Sequence, residues 1–78
     1  MSKKQIEECV RASLEGYFKD LRGTEPDGLY EMMVKVVEKP LLETVMAKAD
    51  QNQSKAAEWL GLNRNTLRKK LLEHKLLK

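Results

Sequence analysis

The residues of this 78-residue chain best suited to chemistry are the amides and cations of the stretch NRNTLRKK, at positions 63–70. Arginine can donate paired hydrogen bonds to O6 and N7 of guanine, and asparagine can bond adenine in a similar way. Lysine binds phosphate as a compact point charge. Four cations and no acid lie between Arg64 and Lys70. The stretch is therefore either an ordinary solvated helix face or a surface aimed at an anionic partner.

The distribution of charge favours the anionic partner. The net charge is +3. Positions 1–49 carry eight Lys/Arg and nine Asp/Glu, whereas positions 50–78 carry seven Lys/Arg and three Asp/Glu. The excess positive charge thus belongs to the C-terminal third of the chain, where an electrostatic partner is expected.

Several classes of protein are disfavoured by composition. Cys9 and His74 are the only residues of their types, which excludes an internal disulfide and a thiolate metal cage. We expect Cys9 to be a small buried hydrophobe and His74 to be exposed. No nucleophile–base pair or phosphate-cradling glycine loop is visible, so we expect no enzyme, cofactor, metal or small-molecule substrate. Apolar runs are too short for a membrane span or signal peptide, and we expect a cytoplasmic protein.

Apolar periodicity predicts an all-α fold of four helices in one domain, residues 1–78. A first helix covers about 5–21 and a loop covers 22–28. A second runs from Leu29 to Ala49, and its apolar phase continues through Pro40, which favours one kinked helix over a break near Lys39. These two helices form the unit 5–49, and a helix-turn-helix unit covers 53–72.

The apolar stripes of the first two helices are too wide for a chain this short to bury by itself. Two copies packed as a four-helix unit would cover them, and a two-fold dimer is the commonest solution. The alternative is a monomeric bundle that uses all four helices. The residues expected in the dimer core are Val10, Leu14, Leu29, Met33, Val36, Val37, Leu41 and Val45.

The stretch NQSKAAEWLGLNRN has the chemistry of a tight turn between two helices. Asn52 and Asn63 are suitable N-caps, and Gly61 tolerates the left-handed conformation that ends a helix. The small Ala57 allows the two helices to approach, while Leu62 and Leu67 fill the corner between them. Trp59 is expected to pack against a neighbouring helix.

These residues resemble a known family. The segment NQSKAAEWLGLNRNTLRKKL is similar to the C-terminal DNA-binding unit of the factor for inversion stimulation (Fis) family of bacterial nucleoid proteins, a unit that also closes nitrogen-regulator-type activators. The preceding LYEMMVKVVEKPLLETVM resembles the Fis dimerisation helix with its proline, which favours Fis. The resemblance implies a homodimer that binds the major groove of double-stranded DNA, bends it because its recognition helices are less than one DNA turn apart, and regulates transcription in the nucleoid.

The resemblance also implies roles for individual residues. Asn63 and Arg64 would read bases. The residues that would contact phosphates or position the helix are Asn52, Gln53, Ser54, Thr66, Arg68, Lys69 and Lys70. The sequence departs from the family at Asp50, Leu72 and Glu73, where basic residues are usual, and at Asn65, where glycine is usual. We therefore expect this protein to wrap flanking DNA more weakly and to have a slightly different sequence preference.

Two other functions remain open at this stage. The chain could be the DNA-binding domain of a nitrogen-regulator-type enhancer-binding activator, or a helical module that binds a protein instead of DNA. Fis proteins that activate recombinases carry β-hairpin arms before the first core helix. Only MSKKQ precedes the stripe here, and a hairpin needs two strands and a turn. We therefore expect DNA binding and bending without recombinase activation.

Overall fold

The computed structural model describes residues 2–77, and all regular structure within that range is helical. The expected all-α class with four helices is confirmed. The helices are α1 (Lys3–Leu21), α2 (Leu29–Lys48), α3 (Gln53–Leu60) and α4 (Arg64–Glu73). None of these helices combines the length and the apolar composition needed to cross a membrane.

Helix α1 begins two residues before the expected start at position 5, because Ser2 and Gln5 form a reciprocal cap. The Ser2 hydroxyl accepts from the Gln5 backbone N–H at 3.2 Å, and Gln5 Oε1 accepts from the Ser2 N–H at 2.8 Å. This arrangement satisfies two backbone donors that a helix start otherwise leaves unpaired. No residue of α1 is buried in the single chain.

Helix α2 runs without interruption from Leu29 to Lys48, with Pro40 inside it. The structure therefore has one helix across this region, as the continuous apolar phase indicated, and no break at Lys39. Pro40 is exposed in the single chain, on the open side of α2 that faces away from the core.

The hydrophobic core lies between the second half of α2 and the two short helices. Leu41 and Val45 were expected in the dimer core, but the residues that the single chain buries on α2 are their neighbours Leu42 and Met46. Val45 is half-buried and packs against this core, and Ala49, just past the helix, is buried in it. Helix α2 has two apolar faces about 120–150° apart, given 100° per residue, and one of them covers α3 and α4. The buried residues are Leu42, Met46, Ala49, Ala56, Ala57, Leu67 and Leu71.

The last three helices end in the same way, which lets short turns join them. In each, a backbone N–H just past the helix donates back to a carbonyl five residues earlier, across a residue in the left-handed conformation. This pattern satisfies carbonyls that a helix end leaves free. The bonds run from Gln51 to Met46 (2.8 Å), Leu62 to Ala57 (2.9 Å) and Leu76 to Leu71 (2.8 Å).

The chain is elongated, with a Cα radius of gyration of 15.0 Å and extents of 44 × 27 × 17 Å. A compact domain of this length has a radius of gyration of about 11.5 Å. The excess arises because α1 and the first half of α2 extend beyond the core. Cys9, expected to be buried, is exposed on α1 in the single chain.

Candidate nucleic-acid interface

The α3–α4 unit is held by a turn of three residues. Gly61 ends α3 with φ 72°, in the left-handed region that disfavours residues with a Cβ atom. Leu62 follows and is half-buried. Ala57 on α3 is 4% exposed and Leu67 on α4 is fully buried. The turn and the contact between these helices fix the direction in which α4 leaves the core.

Asparagine side chains cap both helices of the unit. Asn52 Oδ1 accepts from the Lys55 backbone N–H at 3.1 Å, and Asn63 Oδ1 accepts from the Asn65 N–H at 2.8 Å. Each cap satisfies one unpaired donor of its helix. Because the cap uses the oxygen of Asn63, the NH₂ group of that side chain is what remains for a base or phosphate.

The outward face of α4 is basic and open. Arg64, Thr66, Arg68 and Lys69 are all exposed. The three cations in this set form no ion pair with any residue in the described range 2–77. Arg64 is the first residue of the helix, so its guanidinium lies at the positive end of the helix dipole. This face can donate hydrogen bonds to an acceptor-rich, anionic partner.

The N-terminal end of α3 adds polar groups to the same unit. Asn52 and Ser54 are exposed there, and Gln53 is half-buried. Trp59, expected to pack against a neighbouring helix, is instead 54% exposed. The Lys55 ammonium lies 5.2 Å from the centroid of its ring, a cation–π distance. The indole therefore packs along its own helix, one turn from Lys55, and not into the core.

Lys70 differs from the other cations of the basic stretch. Its Nζ lies 2.9 Å from Glu38 Oε2 on α2, and the other oxygen, Oε1, lies 2.9 Å from His74 Nε2. The His74 side chain is only 9% exposed, so the expectation that it would be exposed is wrong. No pattern in the sequence indicates Glu38 as a partner of α4, because 32 positions separate it from Lys70.

These contacts perturb the titration of both partners. The hydrogen bonds from Lys70 and His74 hold the pKa of Glu38 below its usual value. The hydrogen bond to Glu38 raises the pKa of Lys70. Both effects favour the charged forms, so Glu38 and Lys70 form an ion pair at neutral pH.

Glu73 stands close to this pair. One ligand atom from each of Glu38, Glu73 and His74 lies within 4.8 Å of the others, a donor set that divalent metal ions accept. Both oxygens of Glu38 already have partners, and the Lys70 ammonium neutralises this one carboxylate. Glu73 is exposed, so water can solvate its charge, and the arrangement does not require an ion.

Comparison with known proteins places this geometry in a family. The family model "Bacterial regulatory protein, Fis family" matches residues 34–74. A Fis-like DNA-binding protein of Ralstonia nicotianae is 56% identical over 77 residues, covering 99% of this chain and 100% of the relative. One of Neisseria meningitidis serogroup A is 62% identical over 72 residues, covering 92% and 91%.

A longer relative, the DNA-binding protein Fis of Photobacterium profundum, is 45% identical over 74 residues, covering 95% of this chain and 76% of the relative. The matched family region contains most of α2 and all of α3, the turn and the basic helix α4. The chain belongs to the Fis family of bacterial regulatory proteins.

Proposed function

We propose that this protein binds double-stranded DNA as a homodimer, with α4 in the major groove, and that it bends the DNA. Its role is that of a nucleoid-associated transcriptional regulator with no enzymatic activity. The observation that carries the proposal is the open basic face of α4, presented by a rigid helix-turn-helix unit.

Base reading is assigned to the start of α4. The residues at the N-terminal end of such a helix reach base edges in the major groove. Arg64 is exposed there, and its fork of donors suits guanine O6 and N7. Asn63, whose oxygen caps the helix, can still donate from its NH₂ group.

Affinity is assigned to the residues around that end. Exposed cations that neutralise phosphates supply most of the sequence-independent binding energy. The N-terminal end of α3 offers backbone N–H groups and short polar side chains for the same purpose. The residues proposed to contact phosphates are Asn52, Gln53, Ser54, Thr66, Arg68 and Lys69, while Lys70 positions the helix through Glu38.

The surface of the single chain supports a dimer. The chain exposes 6636 Å², whereas a compact monomer of this mass exposes about 4,900 Å². Each chain thus exposes more area than a compact monomer does. For two chains this additional area is on the order of 3,500 Å², which matches the area buried by obligate dimers. A monomeric bundle of all four helices would require α1 to be buried against the core, and no α1 residue is buried.

The excess area is apolar and continuous. Residues of α1 and of the first half of α2 line one open groove, which includes Ile6, Val10, Met33, Val36 and Val37. Val36 is 57% exposed in the single chain. A second copy of the same chain offers an equal apolar face, which is the condition for a two-fold interface. The unit 5–49 is therefore proposed as the dimerisation region and 53–72 as the DNA-binding region.

Bending follows from the family resemblance. Dimeric helix-turn-helix proteins that bind straight DNA place their recognition helices about 34 Å apart, one helical turn. The Fis pattern implies a shorter separation, so the DNA must curve for both helices to enter successive grooves. Smooth bending of a site of 20–30 base pairs costs on the order of 1–6 kcal/mol, which additional contacts can offset.

A salt-titrated binding experiment with a bend-sensitive duplex tests the proposal. The duplex carries donor and acceptor dyes at its ends. We expect binding that weakens steeply with salt, one dimer per duplex, and increased energy transfer between the dyes on binding. Binding of a protein partner with no affinity for any duplex would instead support the helical interaction module. Binding without a change in energy transfer would remove bending from the proposal.

A further inference from the structure

The three consecutive cations of α4, Arg68, Lys69 and Lys70, do not form one surface. Arg68 and Lys69 are exposed. The Lys70 side chain is 34% exposed and its partner Glu38 only 15%. Lys70 stands three residues after the buried Leu67 and therefore lies on the flank of α4 that faces α2.

Both oxygens of the Glu38 carboxylate bind residues of α4. Oε2 accepts from Lys70, and Oε1 lies at hydrogen-bond distance from His74, four residues further along the same face. The fold is destabilised when a carboxylate that is mostly removed from water loses its hydrogen-bond and ion-pair partners, because its charge is then left uncompensated. If Lys70 moves to a DNA phosphate, the negative charge of Glu38 loses its ion-pair partner, and this cost opposes the move.

We propose that Glu38 is a specificity-determining residue that acts by position: it retains Lys70 against α2, keeps this cation out of phosphate binding, and fixes the C-terminal half of α4. The inference rests on the proposed DNA binding and adds to it a residue that touches no DNA. In chemical terms, the Glu38 carboxylate competes with DNA phosphate for the Lys70 ammonium group.

The retention affects random DNA more than a specific site. In a specific complex, base contacts at Arg64 fix the helix, and Lys70 stays on the side that faces α2. On random DNA no base contact sets the orientation, so a released lysine on its flexible stem can find a phosphate. Specificity is the ratio of the two affinities, and release of Lys70 lowers it.

Two matched substitutions test whether Lys70 is withheld from DNA. Lys69→Gln should make the plot of log K against log salt shallower by roughly 0.9 per subunit, the value for one lost phosphate contact. Lys70→Gln, the same chemical change at the next residue, should leave the slope at its wild-type value. An equal loss of slope for both variants overturns the proposal.

Removal of the carboxylate tests the converse. Glu38→Gln should raise affinity for random duplex by roughly three- to tenfold at 0.1 M salt and steepen the slope by roughly 0.9 per subunit. Affinity for a selected site should rise less, so the specificity ratio falls. The double variant Glu38→Gln/Lys70→Gln should return the random-duplex affinity and slope to wild-type values, whereas retention of the gain overturns the inference.

Glu43→Gln is the control, because it removes one negative charge from an exposed position on the same helix. It should leave both slope and ratio unchanged. A gain for Glu43→Gln as large as that for Glu38→Gln would mean that net charge, and not the pairing of Lys70, causes the effect.

A measurement on the free and the DNA-bound protein separates this inference from the proposed function. The ammonium of Lys70 can be titrated by ¹⁵N NMR in wild type and in Glu38→Gln, first free and then bound to duplex. We expect the pKa of Lys70 to be raised in the wild type, both free and bound to duplex, and to fall in Glu38→Gln. If the wild type binds no duplex, the proposed function and this inference both fail. If it binds duplex but the signature of the pair disappears, the inference alone fails.

Discussion

The Glu38 carboxylate and the Lys70 ammonium meet at 2.9 Å although 32 positions separate them in the chain. Their contact joins the middle of α2 to the second turn of α4. Together with the core beneath it, this contact makes the basic helix and the long helix one unit. The ion pair is therefore a structural element that should be visible in the stability of the protein as well as in DNA binding.

The first prediction is a pH window for that stabilisation. The pKa of Glu38 is lower in the folded state than its ordinary value of 4.5, so its contribution is complete above that value and is lost as pH falls through the folded pKa. The pKa of Lys70 is raised above 10.5, so its contribution is complete below that value and is lost as pH rises through the folded pKa. The pair stabilises the fold from about pH 5 to about pH 10.

Thermal unfolding of wild type and Glu38→Gln across this range checks the prediction. The difference in melting temperature should be constant near neutrality and shrink as pH falls below the ordinary carboxyl pKa of 4.5, because the stabilisation is lost as the carboxylate takes up a proton. Glu43→Gln, at an exposed position on the same helix, should show little difference from wild type at any pH. A Glu38→Gln difference that is independent of pH would show that shape, and not charge, explains the loss.

The second prediction concerns the two backbone roles of glycine. Gly61→Ala should destabilise the fold by about 1–2 kcal/mol, because an L-residue resists the left-handed conformation. No neighbouring atom within 4 Å would meet the new Cβ, so the loss reports backbone strain alone. Gly16→Ala, in the interior of α1 and equally unobstructed, should stabilise by about 0.5–1 kcal/mol. Denaturant unfolding of both variants should show opposite signs.

The third prediction separates base reading from phosphate binding. Arg64→Ala should reduce discrimination between a specific and a random duplex by about 1–3 kcal/mol, as loss of a paired guanine contact does. Lys69→Ala should weaken binding to both duplexes alike and make the salt dependence shallower by about one unit per subunit. Competition binding at several salt concentrations measures both quantities. Identical behaviour of the two variants on both duplexes would contradict the division of roles.

The fourth prediction tests the dimer through its apolar groove. The melting temperature should fall on dilution over a hundredfold range, because unfolding of an obligate dimer releases two chains. Val36→Lys places a charge in the groove and should give monomers or unfolded protein by sedimentation. Ala12→Lys makes the same change at an exposed position off the α1 stripe and should leave the dimer intact. A wild-type melting temperature unaffected by dilution, with a monomer mass, would exclude the dimer.

Local features were accessible from sequence because nearby residues determine them. A side chain that caps a helix bonds an N–H two or three positions ahead, as Asn63 and Asn52 do. The left-handed backbone at Gly61 was predictable because this residue lacks a Cβ atom, whereas the left-handed Asp50 and Lys75 carry no such signal. The start of α1 was placed two residues late because the reciprocal cap uses Ser2 and Gln5, before the first apolar residue, Ile6. The position of an apolar stripe therefore locates a helix better than it locates its ends.

Contacts between distant segments were not accessible in this way. Helix α2 has apolar residues on two sides, and its sequence does not say which side meets α3 and α4. The face with Leu42 and Met46 covers them, and the face with Val36 and Val37 stays open. The pairing of Glu38 with Lys70 depends on that same choice of face, so periodicity could not predict it. The burial of the His74 side chain against Glu38 could not be predicted for the same reason.

The unbroken length of α2 has a mechanical consequence. One end of this helix lies in the apolar groove and the other in the core beneath α4, with no loop between Leu29 and Lys48 to act as a joint. In the proposed dimer, the distance between the two basic helices is thus fixed by the angle at which the two copies of α2 cross, since each copy is one continuous helix. If that distance is shorter than one turn of DNA, as proposed, the duplex has to bend to fit it. We then expect sequences that curve at low cost to be preferred, even at base pairs that no side chain touches.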